Sequence, residues 1–162
     1  MKCRSSRHSD AAMTASRKIH AMEGEIVAIW IKKAHRRPLD AVTEAELVAG
    51  RGIVGNANQG GWRQITIIDE KSWADAQAEL GRDVDPSRRR ANVMIRGIDL
   101  EKSRGRKLRL GECVIDIRGE NPPCRQMGDM QVPLKTHWRA GVFGSIEKGG
   151  MIHIGDAVTY RL

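Results

Sequence analysis

The segment Glu120–Met127 contains a cysteine in a context that favours sulfur chemistry. Two consecutive prolines precede Cys124, and proline fixes φ at a value that suits the first turn of a helix. We therefore predict that a short helix starts here, with Asn121 as its N-cap and Cys124 in its first turn. Free backbone N–H groups, the positive end of the helix dipole and the charge of Arg125 would then favour the reactive thiolate of Cys124.

The three cysteines of the chain stand in different contexts. Cys113 alternates with Ile115 and Ile117, so we expect all three to face one side of a strand. Cys3 lies in a polar tail. The alternative to a reactive role for Cys124 is that it only packs against its neighbours, as many free cysteines do. These positions form neither a disulfide framework nor a paired zinc-binding spacing. The chain is therefore predicted to be a reduced, cytoplasmic protein.

Two further segments carry groups that bind anions. Gly50–Gln64 contains five glycines within twelve residues, which permits close backbone approach to a ligand, and it includes Arg63. Arg88–Asn92 offers three arginine forks, which bind phosphate bidentately, and one amide. Neither segment matches a P-loop or a dinucleotide motif. The alternatives are a flexible connection for the first segment and a solvated charged surface for the second.

The positive charge of the chain is unevenly distributed. The net charge is +8, and residues 88–109 hold nine basic and two acidic side chains, a local excess of seven positive charges. Such a field attracts an anion. The same block contains no aromatic residue on which bases could stack, which argues against single-stranded nucleic acid. No apolar run is long enough to cross a bilayer. For these two reasons, neither nucleic acid nor a membrane is expected as a partner.

Short strands predominate among the elements that would position these segments. One helix is predicted over Asp69–Leu80, with Asp69 as its N-cap. Strands are predicted at Glu25–Ile31, Ile65–Ile68, Asn92–Ile95, Lys107–Leu110, Cys113–Ile117, Val142–Ile146, Met151–Ile154 and Ala157–Leu162. Many short strands with glycine turns favour a closed or nearly closed β-barrel. We expect one such domain over residues 23–162, after a disordered basic tail over residues 1–22.

The ordered set of motifs resembles the MOSC domain, the module named for the C-terminal part of molybdenum-cofactor sulfurases. The resemblance runs from about Gly24 to Leu162. It is carried by Gly52–Gly55, Arg63–Thr66, Arg90–Asn92, Arg96–Leu100, Leu108–Glu112, Pro123–Met127 and Gly149–Asp156. The chain departs from the pattern at Asn56, where many members of the family have an acidic residue.

This resemblance implies a mostly β fold, a bent β-barrel of the pyruvate-kinase-like type with a few short helices. It also implies that the chain binds the molybdenum cofactor, a pterin whose phosphate suits arginine and asparagine side chains. The implied contacts are Asn56, Arg63, Arg90, Asn92 and Arg125. Cys124 is implied to carry sulfur as a persulfide or to contact the molybdenum itself.

Acting alone, a domain of this kind has no source of sulfur or of electrons. The chain has no desulfurase domain and no lysine motif for pyridoxal phosphate, so that cofactor is not expected to bind this domain alone. It also has no iron–sulfur cysteine cluster. We therefore expect a sulfur donor such as a desulfurase, or an electron-donor reductase, as partner.

Three hypotheses of function follow from these features. The first is sulfur transfer through Cys124, or oxo-transfer reduction of N-hydroxylated compounds. The second is a non-catalytic binding or carrier module for an anionic pterin or metal ligand. The third, a basic RNA-binding domain, is disfavoured by the absence of aromatic residues from the basic block.

Overall fold

The computed structural model describes residues 23–161. The predicted disordered tail, residues 1–22, lies outside the described residues, as does Leu162 at the end of the last predicted strand. No helix in the described part of the chain is long and apolar enough to cross a membrane.

Every predicted strand is present, with ends shifted by up to three residues. Within residues 23–161 the strands are β1 (Gly24–Ile31), β2 (Asp40–Val42), β3 (Glu44–Val48), β4 (Gly52–Ile53), β5 (Ile65–Asp69), β6 (Val93–Arg96), β7 (Lys107–Leu110), β8 (Cys113–Glu120), β9 (Val142–Lys148), β10 (Gly150–His153) and β11 (Ala157–Arg161). The α-helices are α1 (Glu70–Leu80) and α2 (Gln131–Leu134), and 3₁₀ helices span Pro86–Arg89 and Arg125–Met130. β2, β3, β4 and α2 were not predicted.

Seven strands close into a barrel, which confirms the predicted fold. Around the ring the order is β1, β11, β7, β8, β9, β5 and β6, and β6 pairs with β1 again. Only the pair of β5 and β6 in this ring is parallel; the other neighbours are antiparallel. β2 extends the ring beside β1, while β10, β3 and β4 form a small second sheet.

The barrel interior is filled by alternating branched side chains from its strands. Cys113, Ile115 and Ile117 all lie in this core, as their alternation predicted. Burying each isoleucine contributes roughly 1.5–3 kcal/mol relative to leaving it exposed. Each strand therefore turns one row of side chains inward, and the loops between strands are left to build the site.

Helix α1 packs outside the barrel and supports the segment that carries Cys124. Its N-cap is Asp69, whose carboxylate accepts a hydrogen bond from the Ser72 backbone N–H at 2.7 Å, as predicted. Trp73 and Ala76 of α1 form a cluster with buried side chains from residues 127–140: Met127, Met130, Leu134 and Ala140. This contact anchors the 3₁₀ helix that begins directly after Cys124.

Candidate functional site

A cavity of about 600 Å³ opens beside the ends of β1, β5 and β6. Five cationic side chains line it, and no aspartate or glutamate does: the cations are Lys32, Arg63, Arg88, Arg89 and Arg90. None of these five forms an ion pair with any residue of the described part of the chain. A partly enclosed site with unbalanced positive charge attracts an anionic ligand.

Asn92 uses its side-chain amide within the protein. Its Oδ1 accepts hydrogen bonds from the Thr66 backbone N–H at 3.1 Å and from the Thr66 hydroxyl at 3.2 Å. Its Nδ2 donates to the Trp30 carbonyl at 3.3 Å and to Asn56 Oδ1 at 3.1 Å. Asn92 lines the cavity, but with both hydrogens and both lone pairs engaged it acts by holding β1, β5 and the Asn56 loop together.

Asn56 and Lys32 lie side by side on the cavity wall. Asn56 Oδ1 accepts a second hydrogen bond, from the Lys32 backbone N–H at 2.9 Å. Asn56 Nδ2 makes no hydrogen bond within residues 23–161, so it remains a free donor. Burial and the neighbouring Arg90 lower the pKa of Lys32, as expected when positive groups are gathered without a counter-ion.

Arg90 supplies an unpaired donor to the same wall. It caps the 3₁₀ helix Pro86–Arg89 in a left-handed conformation with φ of 61°. Its Nη1 donates to the Arg37 carbonyl at 2.7 Å, whereas its Nη2 is buried and has no hydrogen-bond partner in the described part of the chain. Leaving a buried donor unpaired costs roughly 1–3 kcal/mol, so a ligand oxygen that accepts from Nη2 recovers that cost.

Arg89 ties the cysteine segment to the barrel. Its guanidinium is buried, and it donates to the Ala140 carbonyl at 2.8 Å and to the Asn121 carbonyl at 2.6 Å. Burial lowers the pKa of Arg89, the Cys124 thiolate opposes that change and Arg63 adds to it. Arg89 therefore lies within electrostatic reach of both. The basic run Arg88–Asn92 includes Arg89, but residue type alone does not distinguish its structural role from that of Arg90.

Cys124 is exposed and lies on the cavity wall, but the local geometry differs from the prediction. The helix begins at Arg125, and Cys124 is its N-cap with φ of −91° and ψ of 171°. Asn121 and Pro122 each precede a proline, and a residue before proline avoids the helical region, so the chain stays extended up to Cys124. The predicted cap was wrong, because Asn121 Oδ1 instead accepts a hydrogen bond from Arg63 Nη1 at 3.0 Å.

The predicted site residues thus separate into those that line the cavity and one that does not. Asn56, Arg63, Arg90, Asn92 and Cys124 all line it, although they come from three separate segments of the chain. Arg125 is exposed and does not line the cavity. Three cavity cations were not predicted as site residues: Lys32, Arg88 and Arg89. The only sequence signal for Lys32 was its position directly after a predicted strand.

Histidine does not join this site. His137 lies in a turn with φ of 56°, its Nδ1 is 3.5 Å from Glu101 Oε1, and both residues line a different cavity. Within residues 23–161 no three His, Cys, Asp or Glu side chains are placed to share a metal ion. A metal at Cys124 would therefore have to arrive with its other ligands supplied by an organic cofactor.

The comparisons with known proteins agree with the fold and the motifs. None of the curated proteins matches the chain. Among solved structures, the YuaD protein from Bacillus subtilis has a TM-score of 0.74 and 19% identity, over 85% of this chain and 94% of that one. YiiM from Geobacillus stearothermophilus has a TM-score of 0.65 and 14% identity, over 86% and 75%. YiiM from Escherichia coli has a TM-score of 0.63 and 14% identity, over 85% and 70%.

At these identities the structural neighbours establish the fold alone. The family itself is established by the sequence, because the model of the MOSC domain matches residues 54–159, which is more than half of the chain. This chain belongs to the MOSC domain family.

Proposed function

We propose that this protein binds the molybdenum cofactor in the cavity and uses it, with a donor partner, to transfer sulfur or an oxo group. One observation carries the proposal. Five cationic side chains and no carboxylate line a cavity of about 600 Å³ that also has an exposed cysteine, Cys124, on its wall. An anionic ligand with a metal that accepts a sulfur ligand matches both features.

The residues of the inner wall fit the phosphate of such a cofactor. We call Lys32, Asn56 and Arg90 the inner group, since their side chains are half-buried or buried. Asn56 Nδ2 and Arg90 Nη2 are donors without partners in the described chain, and a phosphate offers three strong acceptor oxygens. An acidic residue at position 56 would add a like charge to the phosphate, whereas Asn56 does not.

Cys124 suits the metal-bearing end of the ligand. When bound, the cofactor supplies the sulfur-transfer or oxo-transfer chemistry that no side chain can provide. Cys124 must lose its thiol proton to bind metal or to carry sulfur, and the Arg89 guanidinium attracts the resulting charge. Arg89 also fixes the backbone before Cys124 through the Asn121 carbonyl, so the sulfur is held at the cavity wall.

Turnover then depends on a partner, either a sulfur donor or an electron-donor reductase. The test is to load the purified chain with cofactor and to assay reduction of an N-hydroxylated base, with and without a reductase system. We expect multiple turnovers only with the donor, and loss of them in Cys124→Ala. Cofactor binding with no turnover under any donor would favour the alternative, a non-catalytic carrier of the pterin.

The binding step has its own measurement. Arg90→Gln removes the inner guanidinium, while Arg109→Gln removes an exposed arginine of β7 that does not line the cavity. We expect cofactor affinity to fall at least tenfold in the first variant, because a charged hydrogen bond is lost. Equal affinity in both variants would contradict the proposed position of the phosphate.

A further inference from the structure

The cavity holds more positive charge than one phosphate neutralises. A phosphate monoester carries about −1.5 to −2 charges at pH 7, whereas five cationic side chains line the cavity. No carboxylate lines it to balance the remainder. Positive side chains that are gathered in a partly enclosed cavity repel one another when no ligand is bound. The positive charge left over after one phosphate binds therefore indicates a second anionic group in the ligand or ligands.

The cations form two groups that are distinguished by their contacts. Lys32 and Arg90 belong to the inner group, in which Arg90 lowers the pKa of Lys32. Arg63 belongs to the other end of the cavity, because it donates to Asn121 Oδ1 in the segment that carries Cys124. Phosphate bound by the inner group therefore leaves the charge near Cys124 unbalanced.

Outside the inner group, two arginines of the cavity wall have donors available for a ligand. Arg63 is exposed, stacks over Phe143 at 4.8 Å and uses only Nη1 in its hydrogen bond to Asn121. Arg88 is exposed, lines the cavity and makes no side-chain hydrogen bond or ion pair within residues 23–161. Arg89 is buried, and its guanidinium already donates to the backbone carbonyls of Ala140 and Asn121.

We propose that Arg63 and Arg88 form a second phosphate subsite in the cavity, outside the inner group. The source of that phosphate rests on the proposed function. It is carried either by the substrate, an N-hydroxylated base presented as its nucleoside 5′-monophosphate, or by the cofactor itself in a dinucleotide form. Both ligands share the same chemistry, a phosphate that receives forked arginine donors in the cavity that Cys124 also lines.

The first test requires no activity. Calorimetric titration of the purified chain with inorganic phosphate at low ionic strength is expected to give two sites per chain. Arg88→Gln is expected to weaken one of them at least tenfold, Arg90→Gln to weaken the other, and Arg109→Gln to change neither. Arg88 is the residue of choice because its side chain makes no hydrogen bond or ion pair within residues 23–161 that the substitution would remove.

The second test identifies the source of the phosphate. With a cofactor that carries one phosphate, the base, its nucleoside and its 5′-monophosphate are compared in the donor-dependent assay. A substrate phosphate predicts a KM at least tenfold lower for the monophosphate than for the nucleoside, and loss of that advantage in Arg88→Gln. A cofactor phosphate predicts instead that Arg88→Gln weakens only the dinucleotide form.

Several results would overturn the inference. A single phosphate site per chain would show that the second subsite does not exist. Two sites that are both unaffected by Arg88→Gln would show that Arg88 forms neither of them. These outcomes are independent of turnover. An inactive protein with two phosphate sites would contradict the proposed function while supporting the subsite.

Discussion

The barrel and the cavity treat charged groups in opposite ways. On the barrel surface several arginines and lysines are paired with carboxylates: Arg96 lies between Glu25 and Glu70, and Lys107 Nζ is 2.8 Å from Glu147 Oε1. Around the cavity the cations have no acidic partner in the described part of the chain, and one guanidinium nitrogen is buried without an acceptor. The barrel satisfies its own polar groups, whereas the cavity leaves donors for something that is bound.

The largest difference should appear in stability. Arg89→Met leaves the buried carbonyls of Asn121 and Ala140 without donors and is expected to lower the free energy of unfolding by about 3 kcal/mol. Arg96→Gln removes two exposed ion pairs and should cost only about 1 kcal/mol in total. Urea denaturation of both variants measures the contrast. Equal losses would show that the two environments do not differ energetically.

The two described thiols extend the contrast to reactivity. Cys113 is fully buried in the barrel, and burial raises the pKa of its thiol to about 11. Cys124 is exposed at the cavity. At pH 8 we expect alkylation of Cys124 to be faster by about a hundredfold, since Cys113 is inaccessible to the reagent and its raised pKa keeps it protonated. Mass spectrometry of each site over time measures the ratio, and faster modification of Cys113 would reverse the assignment.

A carboxylate placed in the cavity should make it more like the barrel surface. Asn56→Asp keeps the acceptor of the Lys32 and Asn92 hydrogen bonds but adds a negative charge. It is expected to lower phosphate affinity about tenfold, because like charges then oppose each other in a partly desolvated site. Asp116→Asn, a change of charge on the barrel outside this cavity, serves as control. Unchanged affinity in Asn56→Asp would contradict anion binding by the inner group.

The smallest effect should be a dependence on pH. Burial and Arg90 lower the pKa of Lys32 below 10.5, and bound phosphate opposes that lowering. Well above neutral pH, where phosphate is already fully the dianion, its affinity should therefore fall a few-fold as Lys32 loses its proton. The free protein should gain stability from Lys32 over the same range, because the unfolded chain there holds more protons. Lys32→Met should remove this slope in calorimetric titrations.

Much of the fold followed from periodicity. The predicted strands in β1, β5, β6 and β7–β11 have the alternation of β-branched and apolar residues that makes one buried row. β3 was missed although its burial alternates, because Glu44–Val48 is built from Glu, Ala and Leu, which favour helices. β2 and β4 are only three and two residues long and are held by their neighbours rather than by local preference.

The site was harder to predict than the fold. The order of the motifs predicted that Asn56, Arg63, Arg90 and Cys124 belong to one site. All four line one cavity, because loops at one end of a closed barrel meet in space. Roles within the cavity depend on hydrogen bonds that cannot be read from residue types. Only the structure distinguishes Arg89, bonded to carbonyls, from Arg90, with a free donor.

The pairing of β1 with β11 makes the order of the strands around the ring independent of where the polypeptide is cut. Gly24 lies opposite Val158, so the first and last strands of the ring are neighbours. If a short linker joins Arg161 to Glu23, the fold should therefore tolerate new chain ends elsewhere. One such place is the tight turn Gly111–Glu112 between β7 and β8. Such a circular permutant would retain the cavity, because neither the linker nor the new ends touch its walls.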